Sequence, residues 1–104
     1  MPQPLDKRGF VKLKIIYVKI LSYKGPQRYV VKRTLVAAES ELRNIYPDIE
    51  ITVSEVKELS EMEKYTAVVI LPSLVVNEKL VCVGRFPKKF EITTWLRQAI
   101  EGSL

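Results

Sequence analysis

Leu71-Pro72-Ser73-Leu74-Val75-Val76-Asn77-Glu78-Lys79-Leu80-Val81-Cys82-Val83-Gly84-Arg85 is the stretch on which the fold turns. From Ala67 to Val83 the chain is apolar except near Ser73 and at Asn77-Glu78-Lys79, which predicts strand, three-residue turn and strand, an antiparallel hairpin. Pro72 has no N–H to give to a ladder, so it is expected just before pairing begins rather than inside a central strand. Gly84 then closes the hairpin.

Working outward, Pro87 opens a final helix whose face is lined by Ile92, Trp95, Leu96, Ala99 and Ile100, and Gly102 stops it. Upstream, Val56, Leu59 and Met62 at spacing three predict a short surface helix. Glu58, Glu61 and Glu63 sit there among Lys57 and Lys64 as a solvated face, with no acid/base role. Ile49, Ile51 and Val53 alternate with Glu50, Thr52 and Ser54, the pattern of a strand at a sheet edge. Val31, Leu35, Ala38, Leu42 and Ile45 follow at steps of four and three, predicting an amphipathic helix that starts at the Lys24-Gly25-Pro26 turn, with the proline near its first turn, and is ended by Pro47. Before it, Val11, Leu13, Ile15 and Tyr17 alternate with Lys12, Lys14, Ile16 and Val18, a strand that loses its polar partners as it enters the sheet. The order is β-α-β-α-β-β-α. Strands joined by a crossover helix run parallel, and the hairpin adds an antiparallel pair. The expected class is α/β: a mixed four-stranded sheet with helices on both faces.

Composition narrows the chemistry. The chain has 104 residues with no His and one Cys. Imidazole catalysis, His-ligated metals, an intramolecular disulfide and multi-Cys zinc sites are therefore excluded within it. Only four glycines are present, without a phosphate-binding glycine loop or a serine-nucleophile elbow. Residues 1–9 are read as a flexible tail and 10–104 as one domain. The tail has no apolar segment of the secretory type and no stretch is long enough to span a bilayer, so a cytoplasmic location away from membranes is expected. Residues 1–46 carry 10 basic and 3 acidic side chains, while 47–104 carry 7 and 9, for a net charge of +5. The front half is the cationic half.

The element order, together with Leu71-Pro72-Ser73-Leu74-Val75-Val76-Asn77, Lys79-Leu80-Val81, Gly84-Arg85 and Pro87, resembles the thioredoxin fold. It is most similar to the small single-domain thioredoxin-like proteins called redox-active disulfide proteins, in which P-x-L-V-V-(D/N)-G-K-V-V-x-x-G-R-x-P is typical. Motif-grade likeness runs from Tyr65 to Leu96, and upstream only the pattern of elements agrees. Asn77-Glu78 stands where Asp-Gly or Asn-Gly is usual. The resemblance implies that Pro72 is a cis-proline facing an active-site loop and that the backbone of Leu71 pairs with an extended peptide or thiol substrate. It also implies a C-x-x-C pair where the first strand runs into the first helix. That window reads Ser22-Tyr23-Lys24-Gly25-Pro26-Gln27-Arg28-Tyr29-Val30-Val31, without cysteine in any register. The equivalent segment is taken as Gly25-Pro26-Gln27-Arg28.

The expected function is a non-catalytic thioredoxin-like domain that binds a peptide or protein partner through Gly25, Pro26, Gln27, Arg28, Leu71, Pro72 and Arg85. It needs no cofactor or metal and acts as a monomer or a weak homodimer paired through the Ile49–Val53 edge. The alternative is a single-thiol, glutathione-linked oxidoreductase using Cys82, whose bland reading is a small buried hydrophobe between Val81 and Val83. Lys24, Arg28, Arg85, Lys88 and Lys89 are weighed as one anion-binding rim against unrelated solvated charges. Tyr17, Tyr23, Tyr29, Phe86 and Phe90 are read mainly as core, with an exposed partner surface as the alternative. Nucleic-acid binding through aromatics interleaved with cations ranks third, and Trp95 is read as packing.

Overall fold

The computed structural model describes residues 14–104. The tail read at 1–9 and the strand residues Val11, Lys12 and Leu13 lie outside that range. Seven elements follow in the expected order: β1 (Lys14–Leu21), α1 (Gly25–Ile45), β2 (Ile49–Val56), α2 (Leu59–Met62), β3 (Ser73–Val76), β4 (Lys79–Val83) and α3 (Lys89–Glu101).

They build one sheet in the order β2-β1-β3-β4. β1 and β2 run parallel across the α1 crossover, while β1 with β3 and β3 with β4 are antiparallel. This is the thioredoxin-like arrangement, with β2 at an edge as its polar alternation predicts.

Period decides which side each residue faces. Ile16, Val18 and Ile20 of β1, with Leu74 and Val76 of β3, meet Val31, Leu35, Ala38 and Leu42 of α1 and Ile92, Leu96 and Ala99 of α3 on one face. On the other face Leu21 and Val75 meet Met62 of α2, flanked by Tyr65, Val69, Leu71 and Leu80. Helices therefore cover both faces, although α2 is a single turn. A bulge between Leu74 and Val75 leaves Val81 as an extra residue in β4, because Leu74 pairs with Cys82 and Val75 with Leu80.

Several boundaries depart from the sequence reading. Ile15 and Tyr17 are exposed, and the buried phase of β1 is the even one, because both of its faces are apolar there. Ile45 is 58% exposed. Tyr46 packs on the core instead, and its hydroxyl donates to Glu101 at 2.7 Å, a partner only the fold supplies. Val56 belongs to β2, paired with Leu21, rather than to a helix. Residues 67–72 are irregular, so the first strand of the hairpin is only Ser73–Val76 and pairing starts directly after Pro72. The turn has two residues rather than three, and both Asn77 and Glu78 take positive φ (47° and 68°), the form that matches the twist of the strands. Asn77 explains why this works without glycine. Its N–H donates to the Tyr17 carbonyl at 2.8 Å and its Oδ1 accepts from the Tyr17 N–H at 2.9 Å, extending the β1–β3 ladder through a side chain. Lys19 holds the Glu78 carboxylate at 3.0 Å. Pro87 precedes α3 by two residues, with Lys88 at the N-cap.

Candidate functional site

Where β1 hands over to α1, Ser22 is fully buried, and its polar atoms are all engaged. Its N–H donates to the Val56 carbonyl at 3.1 Å. Its Oγ accepts from the Lys24 N–H at 3.0 Å and donates to Gln27 Oε1 at 2.6 Å, while its carbonyl accepts from Arg28 Nη1 at 3.1 Å. The serine thus fixes the turn in the manner of a local hydroxyl-to-backbone cap, and Pro26 starts the helix where a missing N–H costs nothing.

The segment before β3 forms the opposite wall. Ser73 Oγ donates to the Ile70 carbonyl at 2.6 Å, and the Gly84 N–H donates to the Pro72 carbonyl at 2.8 Å. The Leu71–Pro72 peptide bond is cis. Between these two engaged carbonyls, Leu71 differs: among the described residues neither its N–H nor its C=O forms a hydrogen bond. A peptide group in that state needs water or another chain.

The two walls enclose a cleft of about 250 Å³ lined by Tyr23, Lys24, Gln27, Leu59, Val69 and Leu71. Lys24 and Gln27 occupy the N-cap and the third helical position, three residues apart on one side of the first turn. The pair facing the cleft therefore sits one position earlier than the Gly25–Arg28 register drawn from sequence. Gly25 and Pro26 lie exposed between its two members, and Arg28 turns away to Glu55, Nε to Oε1 at 2.7 Å. The Arg28 guanidinium, with Lys32 behind it, holds the Glu55 carboxyl below its ordinary value. Among the described residues the cleft offers one ammonium, one carboxamide and one phenol between aliphatic walls, with no thiol and no carboxylate in its lining.

Of the other residues singled out by sequence, Pro72 is buried beside the cleft rather than lining it. Three of the five cations weighed as a rim are engaged by carboxylates, and Lys24 lines the cleft by itself. Arg28 is taken by Glu55, Arg85 is bidentate on Glu91 at 2.7 and 2.8 Å, and Lys89 meets Glu41 at 2.5 Å. All five aromatics expected mainly in the core are exposed, Phe90 at 79%, and only Tyr23 lines the cleft. Trp95 packs partly buried on the core. Leu59, Val69 and Ser22 were missed. Val69 was accessible to reasoning, since a residue two before Leu71 in an extended segment shares its side. Ser22 also had a signal, a hydroxyl two residues before a Lys-Gly-Pro helix start.

Cys82 lies within the core cluster opposite Leu74, 3% exposed, its Sγ donating weakly to the Arg85 carbonyl at 3.6 Å. Burial pushes its thiol up, against the pull of Arg85. A reactive cysteine needs the reverse of both conditions.

Glu91 supplies a pH test of this end of the molecule. The Arg85 guanidinium, followed by the Lys88 backbone N–H, lowers its carboxyl from the ordinary 4.5 to about 2. Lys88, an ammonium without an acceptor, cannot return that bond. A depressed carboxylate stabilises the fold above its unfolded pKa and loses that contribution as pH falls through the folded one. Unfolding stability is therefore expected to decline between pH 4.5 and about 2, and Glu91→Gln should flatten that part of the curve. An unchanged acid limb in urea titrations across this range would contradict the pairing.

Among the described residues no group of three His, Cys, Asp or Glu side chains stands ready for a metal, and no helix is long and apolar enough to cross a membrane. No curated protein and no solved structure matches the chain. A family model described as a thioredoxin domain matches residues 29–97, from the first turns of α1 to α3. The matched span starts just past the Lys24–Gln27 pair and covers the α1 crossover, the Leu71–Pro72 segment and the β3–β4 hairpin, so sequence and topology agree: the chain belongs to the thioredoxin-domain family.

Proposed function

We propose that this chain is a thioredoxin-like domain that works as a binding module, gripping an extended segment of a protein partner in the cleft between the start of α1 and Leu71. The N–H and C=O of Leu71, without partners among the described residues, carry the reading. An extended chain laid along them would satisfy both groups as an added strand does, and its side chains would enter a cleft walled by Tyr23, Leu59 and Val69. With one cysteine in these 104 residues, internal dithiol exchange has no second thiol to resolve it. The burial of Cys82 weighs against single-thiol chemistry, and the ion pairs of Arg28, Arg85 and Lys89 weigh against a phosphate-binding rim.

Exposed aromatics at interfaces concentrate binding energy, and of the five exposed here only Tyr23 lines the cleft, so single substitutions tell this surface from the others. Against peptides selected on the intact protein from a random display library, Tyr23→Ala should weaken binding about tenfold, roughly 1.4 kcal/mol. Its melting temperature should be unchanged, because Tyr23 is 61% exposed. Tyr29→Ala and Phe90→Ala should bind as the parent does. If the loss instead follows Tyr29 or Phe90, the partner surface is elsewhere.

A further inference from the structure

The cleft lining also bears on which segment it selects. We infer that the site prefers an extended segment carrying an acidic side chain, Asp or Glu, two residues from an apolar one; this deepens the peptide-binding reading and rests on it.

Among the described residues Lys24 brings the only formal charge into the lining, and no carboxylate lines the cleft to balance it. Glu55, close by in the fold, is held by Arg28 at 2.7 Å and by Lys32 at 3.5 Å, and Glu61 is held by Lys64 at 2.9 Å. Glu58 stands at the N-cap of α2, outside the lining.

Gln27 strengthens the same preference. Its Oε1 is occupied by the hydroxyl of buried Ser22, which fixes the amide with its acceptor turned inward and leaves both Nε2 hydrogens to donate. An ammonium from the N-cap residue and an amide N–H pair from the third helical residue, both in the lining, together match a carboxylate that accepts at both oxygens. A lysine side chain of the partner would meet like charge there, and an apolar one would leave the donors without partners.

The spacing follows from strand geometry. Side chains in an extended segment alternate, so a residue whose carboxylate faces Lys24 and Gln27 shares its side with the residues two positions away. Those positions would meet the aliphatic part of the lining, to which Leu59 and Val69 contribute. The recognised pattern is therefore acidic-x-apolar or its reverse, read by side chains, while Leu71 holds the backbone.

The test pans a random-peptide display library on the intact protein and synthesises the enriched peptides, each with a twin in which the acid is replaced by its amide. Dissociation constants are read by fluorescence polarisation, with binding at the cleft confirmed by the Leu71 amide resonance. The acidic peptide should bind about fivefold more tightly than its twin, the scale of a single partly exposed ion pair. The gap should vanish in Lys24→Met and shrink in 1 M salt, where charges separated by more than about 3 Å are screened. Equal binding of acid and amide twins, with the Leu71 resonance still moving, would overturn the acidic preference while leaving the cleft reading intact. A library that yields no peptide moving the Leu71 resonance would remove both.

Discussion

Leu21→Ala is expected to cost the fold about 2–5 kcal/mol, the range for deleting a fully buried leucine, and to weaken peptide binding as well. Leu21 is completely buried in the smaller of the two clusters, where Met62 and Val75 are fully buried beside it and Val69 and Leu71 pack against the group. The cavity would open directly beneath one wall of the cleft. Leu35→Ala serves as the comparison: Leu35 is equally buried but belongs to the cluster on the opposite face, under α1 and α3. Both variants should lose stability in urea unfolding by similar amounts. Only Leu21→Ala should also bind selected peptides about tenfold more weakly, roughly 1.4 kcal/mol. If Leu35→Ala lowers affinity as much, the cleft wall is not supported by the smaller cluster in the way the packing implies.

Gly84→Ala acts on the same wall from the other side, through two separable causes. Gly84 has φ +70°, and a side chain in this left-handed region costs about 1–2 kcal/mol. The added Cβ would lie 2.5 Å from Ile70 Cγ2 and 3.4 Å from Ile70 Cβ. The clash lies at the branch of the side chain, so Ile70 must leave its rotamer or the 67–72 segment must shift, with an overpacking cost of about 1–3 kcal/mol. The sum is about 2–5 kcal/mol. Ile70→Ala removes the opposing methyl and, because Ile70 is half exposed, should be mild alone. In the double variant the steric share should return while the backbone share stays, a coupling read by a double-mutant cycle. Strict additivity would mean that Ile70 and Gly84 do not meet.

Much of the fold was legible because its signals are local. The four-and-three spacing through α1, the polar alternation of β2, the stop at Gly102 and the proline before β3 each report on a few neighbouring residues. What escaped was decided across the sheet. Val56 reads as the first residue of a helix until its pairing with Leu21 and the bond from the Ser22 N–H place it in β2. Ile45 and Tyr46 both fall near the buried side of α1, and the choice between them rests on Glu101, which is 55 residues away. Three members of the basic rim are engaged for the same reason. Arg28 and Lys89 find carboxylates on other elements, and only the Arg85–Glu91 pair, six residues apart, lay within reach of a local reading. The aromatics were misplaced because size and apolarity predict burial on average, whereas the Ile, Val and Leu of the strands and helices already fill both clusters.

The cleft was half legible. The likeness around Pro72 points to one wall and the loop after β1 to the other, but the register of the facing pair and the inward roles of Leu59 and Val69 are set by how distant segments pack. Ser22 illustrates the limit. A single serine in a loop is unremarkable in sequence, yet here its four hydrogen-bonding partnerships set both the helix start and the orientation of Gln27.

The most direct measurement is the Leu71 amide in isotope-labelled protein, followed by hydrogen exchange and chemical shift as a display-selected peptide is added. In the free protein this N–H has no partner among the described residues and should exchange readily, unlike the paired strand amides. On binding it should become protected and move downfield, with Lys24 and Gln27 shifting alongside. A Leu71 amide that stays unprotected and unmoved while the peptide binds would contradict the account of this cleft.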